Sequence, residues 1–114
     1  MARITRKQLD NMARTINDMH GTPQEPHWTP GTGPLRANIG CWHIHKGPGG
    51  RFSLDQMVND DGATRSPLNA GHIPARDLYE RMRAYIEGFQ DAQRMAKAAK
   101  NAAEMQNRLR AVQP

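Results

Sequence analysis

"LRANIGCWHIHKGPGGRFSLDQMVN", residues 35–59, decides how this chain folds. From Leu35 to Lys46 the residues alternate. One parity carries Leu35, Ala37, Ile39, Cys41, His43 and His45, and the other carries Arg36, Asn38, Gly40, Trp42 and Ile44. Period two with β-branched and aromatic content predicts a strand over 35–46. "GPGG" at 47–50 is a turn, and "RFSLDQMVN", 51–59, is a second strand. Its Phe52, Leu54 and Val58 share one face, and Arg51, Ser53 and Asp55 the other. Two such runs around a glycine-rich connection predict an antiparallel hairpin.

Helices flank the hairpin. In "ITRKQLDNMARTINDMH", 4–20, Ile4, Leu9, Met12, Ile16 and Met19 recur at helical spacing. Thr5 is placed to cap the start of that helix and Gly21 to end it. Residues 21–34, with four prolines and three glycines, read as loop, and so do residues 60–71, with a short strand inside them. In "GHIPARDLYE", 71–80, Pro74 suits the first helical position, where its missing N–H has no partner to lose. The helix it opens runs over 74–112 without an internal proline. Leu78, Met82, Tyr85, Phe89 and Ala92 form one seam, which continues as Met95, Ala98, Ala102, Met105, Leu109 and Val112. A seam of threes and fours is what coiled coils use. A helix of this length spans about 58 Å at ~1.5 Å per residue, more than the rest of the chain can cover. The expected fold class is therefore α+β: a small antiparallel sheet or hairpin packed with an N-terminal helix and a long C-terminal helix. Residues 1–90 form a single α+β ligand-binding domain, and 91–114 a helical extension for oligomerisation.

Composition narrows the classes. Apolar residues make up 37% and aromatic residues 5%, enough for only a small core. The single cysteine, Cys41, rules out an internal disulfide and suits a reducing compartment. The N-terminal stretch lacks the apolar centre of a signal peptide, and no run reaches the length of a membrane span. A cytoplasmic protein with no membrane partner is expected. The net charge is +5, with eight basic and five acidic residues in 73–114, so the excess is mild and spread out. It permits nucleic acid but equally suits any anionic ligand.

Cys41, His43 and His45 at alternate strand positions resemble the start of a zinc site. They lack a clear fourth ligand, which His20, His27 or His72 would have to supply, and the plainer reading is a half-exposed sheet face with Cys41 in the core. No metal or cofactor is expected. No nucleophile motif is present, and the adjacent Asp60 and Asp61 do not make an acid–base pair. "GPGGRF" suits close approach of backbone N–H groups to an anion, with Arg51 following at once. With Arg65 in the next loop and Arg76 at a helix N-terminus, it makes a cationic cluster. Arg76 is electrostatically out of place beside the positive end of a helix dipole, unless an anion or a carboxylate partner compensates it. Phe52, Trp42 and Trp28 supply faces for a purine, and Asn59 an amide for a base or ribose edge. Trp28 reads equally as a lid over the core.

"RITRKQLDNMARTIN", "RANIGCWHIH", "GGRFSLDQMVNDDG" and "GHIPARDLYERMRAYIEGF" together resemble a family of short phage proteins, the anti-Thoeris sponges. The likeness spans residues 3–90, and its last motif is the most specific. "GPGGRF" and "NDDGATR" depart from the family's hydrophobic and double-glycine forms at those places. The resemblance implies a non-enzymatic anti-defence protein that sequesters cyclic ADP-ribose-type signals, and in some members cyclic oligonucleotides. It further implies homo-oligomers, dimers or hexamers, with ligand pockets where protomers meet. Position by position, it implies Asn59 and Arg76 as ligand contacts, Asp77 beside them and Phe52 as the adenine-stacking ring. The alternative left open by the residues is a small phage nucleic-acid-binding or regulatory protein.

Overall fold

The computed structural model describes residues 3–29, 31, 33–68 and 71–112. The expectations for Pro30, Thr32, Asn69, Ala70 and the last two residues of the extension lie outside the described residues. The chain divides into two compact units, Met1–Arg83 and Ala84–Pro114. The fold class is α+β, with an N-terminal helix, small antiparallel sheets and a long C-terminal helix.

In the first unit, α1 (Arg6–His20) begins at Thr5, whose hydroxyl accepts from the Gln8 backbone N–H while the Gln8 side chain accepts from the Thr5 N–H. This reciprocal cap satisfies two of the helix's orphan donors. Gly21 closes the helix in the left-handed region, φ 70°, with its N–H on the last-turn carbonyls. Leu9, Ala13 and Ile16 are buried, and the helix packs on the central hairpin.

That hairpin is β3 (Trp42–Lys46) against β4 (Arg51–Met57), antiparallel and in the register Trp42↔Gln56 through Lys46↔Phe52. They are joined through a short 3-10 turn, Pro48–Gly50, in which Gly49 and Gly50 both take positive φ. The predicted strand over 35–46 is broken in two. Gly40 lies at φ 92° in a turn between Asn38 and Cys41, and residues before it pair elsewhere. Thus β2 (Arg36–Ala37) pairs with β1 (His27–Trp28), a two-residue ribbon inside the stretch expected to be loop. The burial pattern corrects the parity reading too. Trp42, Ile44, Phe52, Leu54 and Met57 are inside, whereas Val58 is 42% exposed because the strand ends before it.

On its other side β4 is shared. Its C-terminal end pairs with β5 (Thr64–Arg65), the short strand expected in that loop. Its N-terminal end pairs with β6 (Ile73–Pro74), in the register Arg51↔Pro74 and Phe52↔Ile73. Pro74 is therefore the last residue of an edge strand, where a missing N–H costs nothing. The helix α2 (Ala75–Val112) starts one residue later than expected. Leu78 and Met82 on its first turns are fully buried.

The second unit is described as helix from Ala84 to Val112. Tyr85 and Phe89 stack with ring centroids 6.5 Å apart, and Asp91 and Arg94 form an ion pair. Every residue from 91 to 112 is exposed, including Met95, Met105, Leu109 and Val112 of the seam. Among the described residues no helix is long and apolar enough to cross a membrane.

The hairpin's outer edge is closed by one side chain that no hydrophobic pattern singles out. Asn17 is 1% exposed. Its amide Nδ2 donates to the Trp42 carbonyl at 2.8 Å, and its Oδ1 accepts from the Trp42 N–H at 2.8 Å and the Thr22 hydroxyl at 2.7 Å. Asn17→Ala removes the amide from both Trp42 backbone groups and leaves the carbonyl the weak Cys41 thiol donor at 3.7 Å, so the expected loss is about 1–3 kcal/mol. Denaturant unfolding checks it. Asn17→Asp should recover little, because a carboxylate accepts from the Trp42 N–H but has nothing to donate to its carbonyl.

Candidate functional site

The N-terminal end of the hairpin's second strand is where the chain gathers charge. A cleft of about 750 Å³ lies there, wholly within the first unit. It is bounded by the start of α1, the end of β3, the Gly49–Gly50 turn, the start of β4 and the β6–α2 junction. Such a volume suits a small-molecule ligand. Five of its lining side chains are cationic: Arg3, Arg6, Lys46, Arg51 and Arg76. No lining residue among those described is acidic.

Local structure explains the gathering. Pairing of Arg51 with Pro74 brings the first turn of α2, and so Arg76, beside the start of β4. The glycine pair turns the chain so that Lys46 and Arg51 flank it, and positive φ at both positions admits glycine without strain. The first N–H groups of α2 have no intrahelical partner and carry the positive end of the helix dipole. Ala75 and Arg76 of that turn line the cleft. Phe52, 9% exposed, contributes the aromatic wall.

Two of the five cations have carboxylate neighbours on their own helices. Arg76 approaches Glu80 at 3.7 Å and Arg6 approaches Asp10 at 3.7 Å, both along exposed helix surfaces. Exposed pairs of this kind contribute only about 0–1 kcal/mol. Among the described residues Arg3, Lys46 and Arg51 have no carboxylate within ion-pair distance. All five cations are exposed, so solvent screens their mutual repulsion, and their common placement matters for what they can bind together.

Of the residues expected to bind a ligand, Arg51, Phe52 and Arg76 meet here. Asp77 follows in the same turn, exposed and outside the cleft lining. Arg65 and Asn59 stand at the other end of β4. The Arg65 Nε donates to the Gln56 side chain at 2.7 Å, five residues along the strand from Arg51. Five residues of strand are about 17 Å. The cluster of Arg51, Arg65 and Arg76 expected from sequence is thus divided within one protomer. The Asn59 Oδ1 accepts from the Asp61 and Ala63 N–H groups and shapes its own turn. Trp28 lies in β1, 46% exposed, and does not line the cleft. Arg3, Arg6 and Lys46 escaped the sequence reading. The available signals were two arginines bracketing the Thr5 cap and a lysine immediately before "GPGG".

The Cys41, His43 and His45 run does not converge. Cys41 is completely buried, and burial, reinforced by the Glu25 charge and opposed by the Asn17 hydrogen bond, pushes its thiol up to about 11. His43 is half-buried and His45 is exposed. Among the described residues no group of three His, Cys, Asp or Glu is placed to hold a metal ion. A smaller mixed-charge pocket of about 280 Å³ lies along α1, with Asp10, Arg14, Glu25 and His43 in its lining.

Comparison of the chain with family models, with curated proteins and with solved structures gives no match.

Burial lowers the His43 pKa from the ordinary value of 6.5, against a smaller opposing pull from Asp55. The folded state therefore disfavours the protonated ring. Its contribution to stability is complete above the unfolded pKa and is lost as pH falls through the folded one. The melting temperature is expected to drop between pH 7.5 and pH 5.5, and to drop less in His43→Gln, as measured by circular dichroism.

Proposed function

We propose that this chain is a non-enzymatic binding protein that holds a phosphate-bearing, nucleotide-derived small molecule in the cationic cleft. One observation carries the reading: five Arg and Lys side chains surround one cavity that also offers a glycine turn and a helix N-terminus. Arginine meets phosphate through two parallel N–H donors, and the helix N-terminus adds backbone donors and a favourable dipole. Phe52 gives a ring a face to lie on. The described lining contains no carboxylate, imidazole or thiol, which favours holding a ligand over acid–base chemistry on it.

The resemblance to the anti-Thoeris sponges makes the ligand a cyclic ADP-ribose isomer, whose pyrophosphate matches the cation cluster, with cyclic oligonucleotides as a further class. The chain would then act as a phage anti-defence protein in the host cytoplasm, silencing an immune signal by sequestration. Asn59 and Arg65, about 17 Å along β4, would reach such a ligand only from a second copy of the chain. This favours a homo-oligomer with clefts completed at protomer boundaries. The apolar seam of Met95, Met105, Leu109 and Val112 offers a helix-to-helix contact for it.

Cyclic ADP-ribose isomers are expected to raise the melting temperature by mass action. Each charge-assisted phosphate contact is worth about 1.5–3 kcal/mol. Arg51→Ala and Arg76→Ala should therefore each weaken binding roughly 10- to 100-fold in isothermal titration, with the melting temperature of the free protein little changed. The reading fails if neither substitution alters affinity. If instead the protein binds arbitrary DNA with a steep loss on adding salt, the nucleic-acid alternative takes its place. Ending the chain at residue 92 is expected to lower the oligomer mass measured by light scattering.

A further inference from the structure

Two histidines outside the cleft lining stand in an arrangement that no part of the ligand reading uses. The Nδ1 of His45, near the end of β3, lies 3.0 Å from the Nε2 of His72, just before β6. Both side chains are exposed, and the rings are tilted by 55° with centroids 5.2 Å apart. At that separation one nitrogen donates a hydrogen and the other offers its lone pair. The pair is seated by Gly47, where a Cβ would stand only 2.3 Å from the His72 Cδ2. A side chain at position 47 would push the His72 ring away from His45.

We propose that His45 and His72 form a two-imidazole chelate for a divalent late-transition-metal ion. Metal–imidazole bonds of about 2.0–2.1 Å subtending roughly 90–109° place two nitrogens about 2.8–3.4 Å apart. The 3.0 Å separation falls inside that range, so rotation of the two exposed rings, which now face each other, is enough to turn both lone pairs onto one ion. On binding, both facing nitrogens present lone pairs to the metal. The hydrogen between them moves to the far nitrogen of its own ring, or leaves as a proton if the pair was charged. Acid therefore competes with the metal. Among the described residues no third His, Cys, Asp or Glu joins the two. Water completes the coordination, and the ion exchanges readily. Imidazole donors favour copper most, then nickel and zinc.

The position gives the chelate a consequence. His45 directly precedes Lys46, and His72 lies four residues before Arg76, and both of those cations line the cleft. A metal there ties the β3 end to the strand that leads into α2. The inference rests on the histidine geometry alone and stands whatever occupies the cleft.

Calorimetric titration of the full chain with Cu²⁺ is the test, joined by electron paramagnetic resonance to count nitrogen ligands. One saturable site with two nitrogens is expected. His45→Ala and His72→Ala should each weaken it at least tenfold. Gly47→Ala, which keeps both imidazoles but displaces one, should do the same while its circular dichroism spectrum stays native. His27→Ala should leave binding unchanged. A site that survives loss of either His45 or His72, or the absence of saturable binding, overturns the proposal and leaves a hydrogen-bonded tether.

Discussion

The fold depends on a primary amide doing the work of a missing strand. β3 is the outer strand of its sheet, and an outer strand presents N–H and carbonyl groups with no ladder partner. At Trp42 both groups meet the Asn17 side chain, which donates and accepts as a neighbouring strand would. The consequence runs in two directions. It fixes the rotation of α1 over the hairpin, so that Leu9, Ala13 and Ile16 face inward. It also blunts the edge where a second chain would otherwise add. An asparagine or glutamine amide places its donor and acceptor side by side as a peptide group does, and burial raises the penalty for anything less.

β4 is the second organising element, because it pairs along its whole length on one side and only at its two ends on the other. β6 takes its start and β5 its end. This division separates two chemistries. Arg51 and Phe52 at the start join Arg76 and the helix N-terminus, whereas Arg65 at the end is tied to Gln56. Residues that read as one basic cluster along the chain are thereby sorted onto opposite ends of one strand.

What was legible in the sequence follows from how local each determinant is. The Thr5 cap, the Gly21 stop and the Gly47–Gly50 turn are decided within a few residues, and all three stand as expected. The hairpin of residues 42–57 was legible because alternation and a turn signal agree there. The break at Gly40 was not, since alternation continues across it while the backbone turns away to pair with residues 27–28. Asn17 was invisible for a similar reason: it is polar on a helix read for its apolar stripe, and its partner is 25 residues distant. In the candidate site Arg51 and Arg76 were legible because each is a cation at a glycine turn or a helix start, and Phe52 as the ring next to Arg51, and all three line the cleft. Arg3, Arg6 and Lys46 stand at a helix start and a turn too, but that helix start is far from the rest along the chain, and the cluster comes together only through the register of β4 with β6 and the packing of α1 on the hairpin.

The cations of the cleft come from positions 3, 6, 46, 51 and 76 of the chain. Spread along an unfolded polypeptide they would make no special concentration of positive potential. Folding alone creates it. An anion that needs several of them at once would therefore bind the native arrangement in preference to the unfolded chain. Binding and stability would then be linked by mass action, each bound anion drawing the chain toward its folded form.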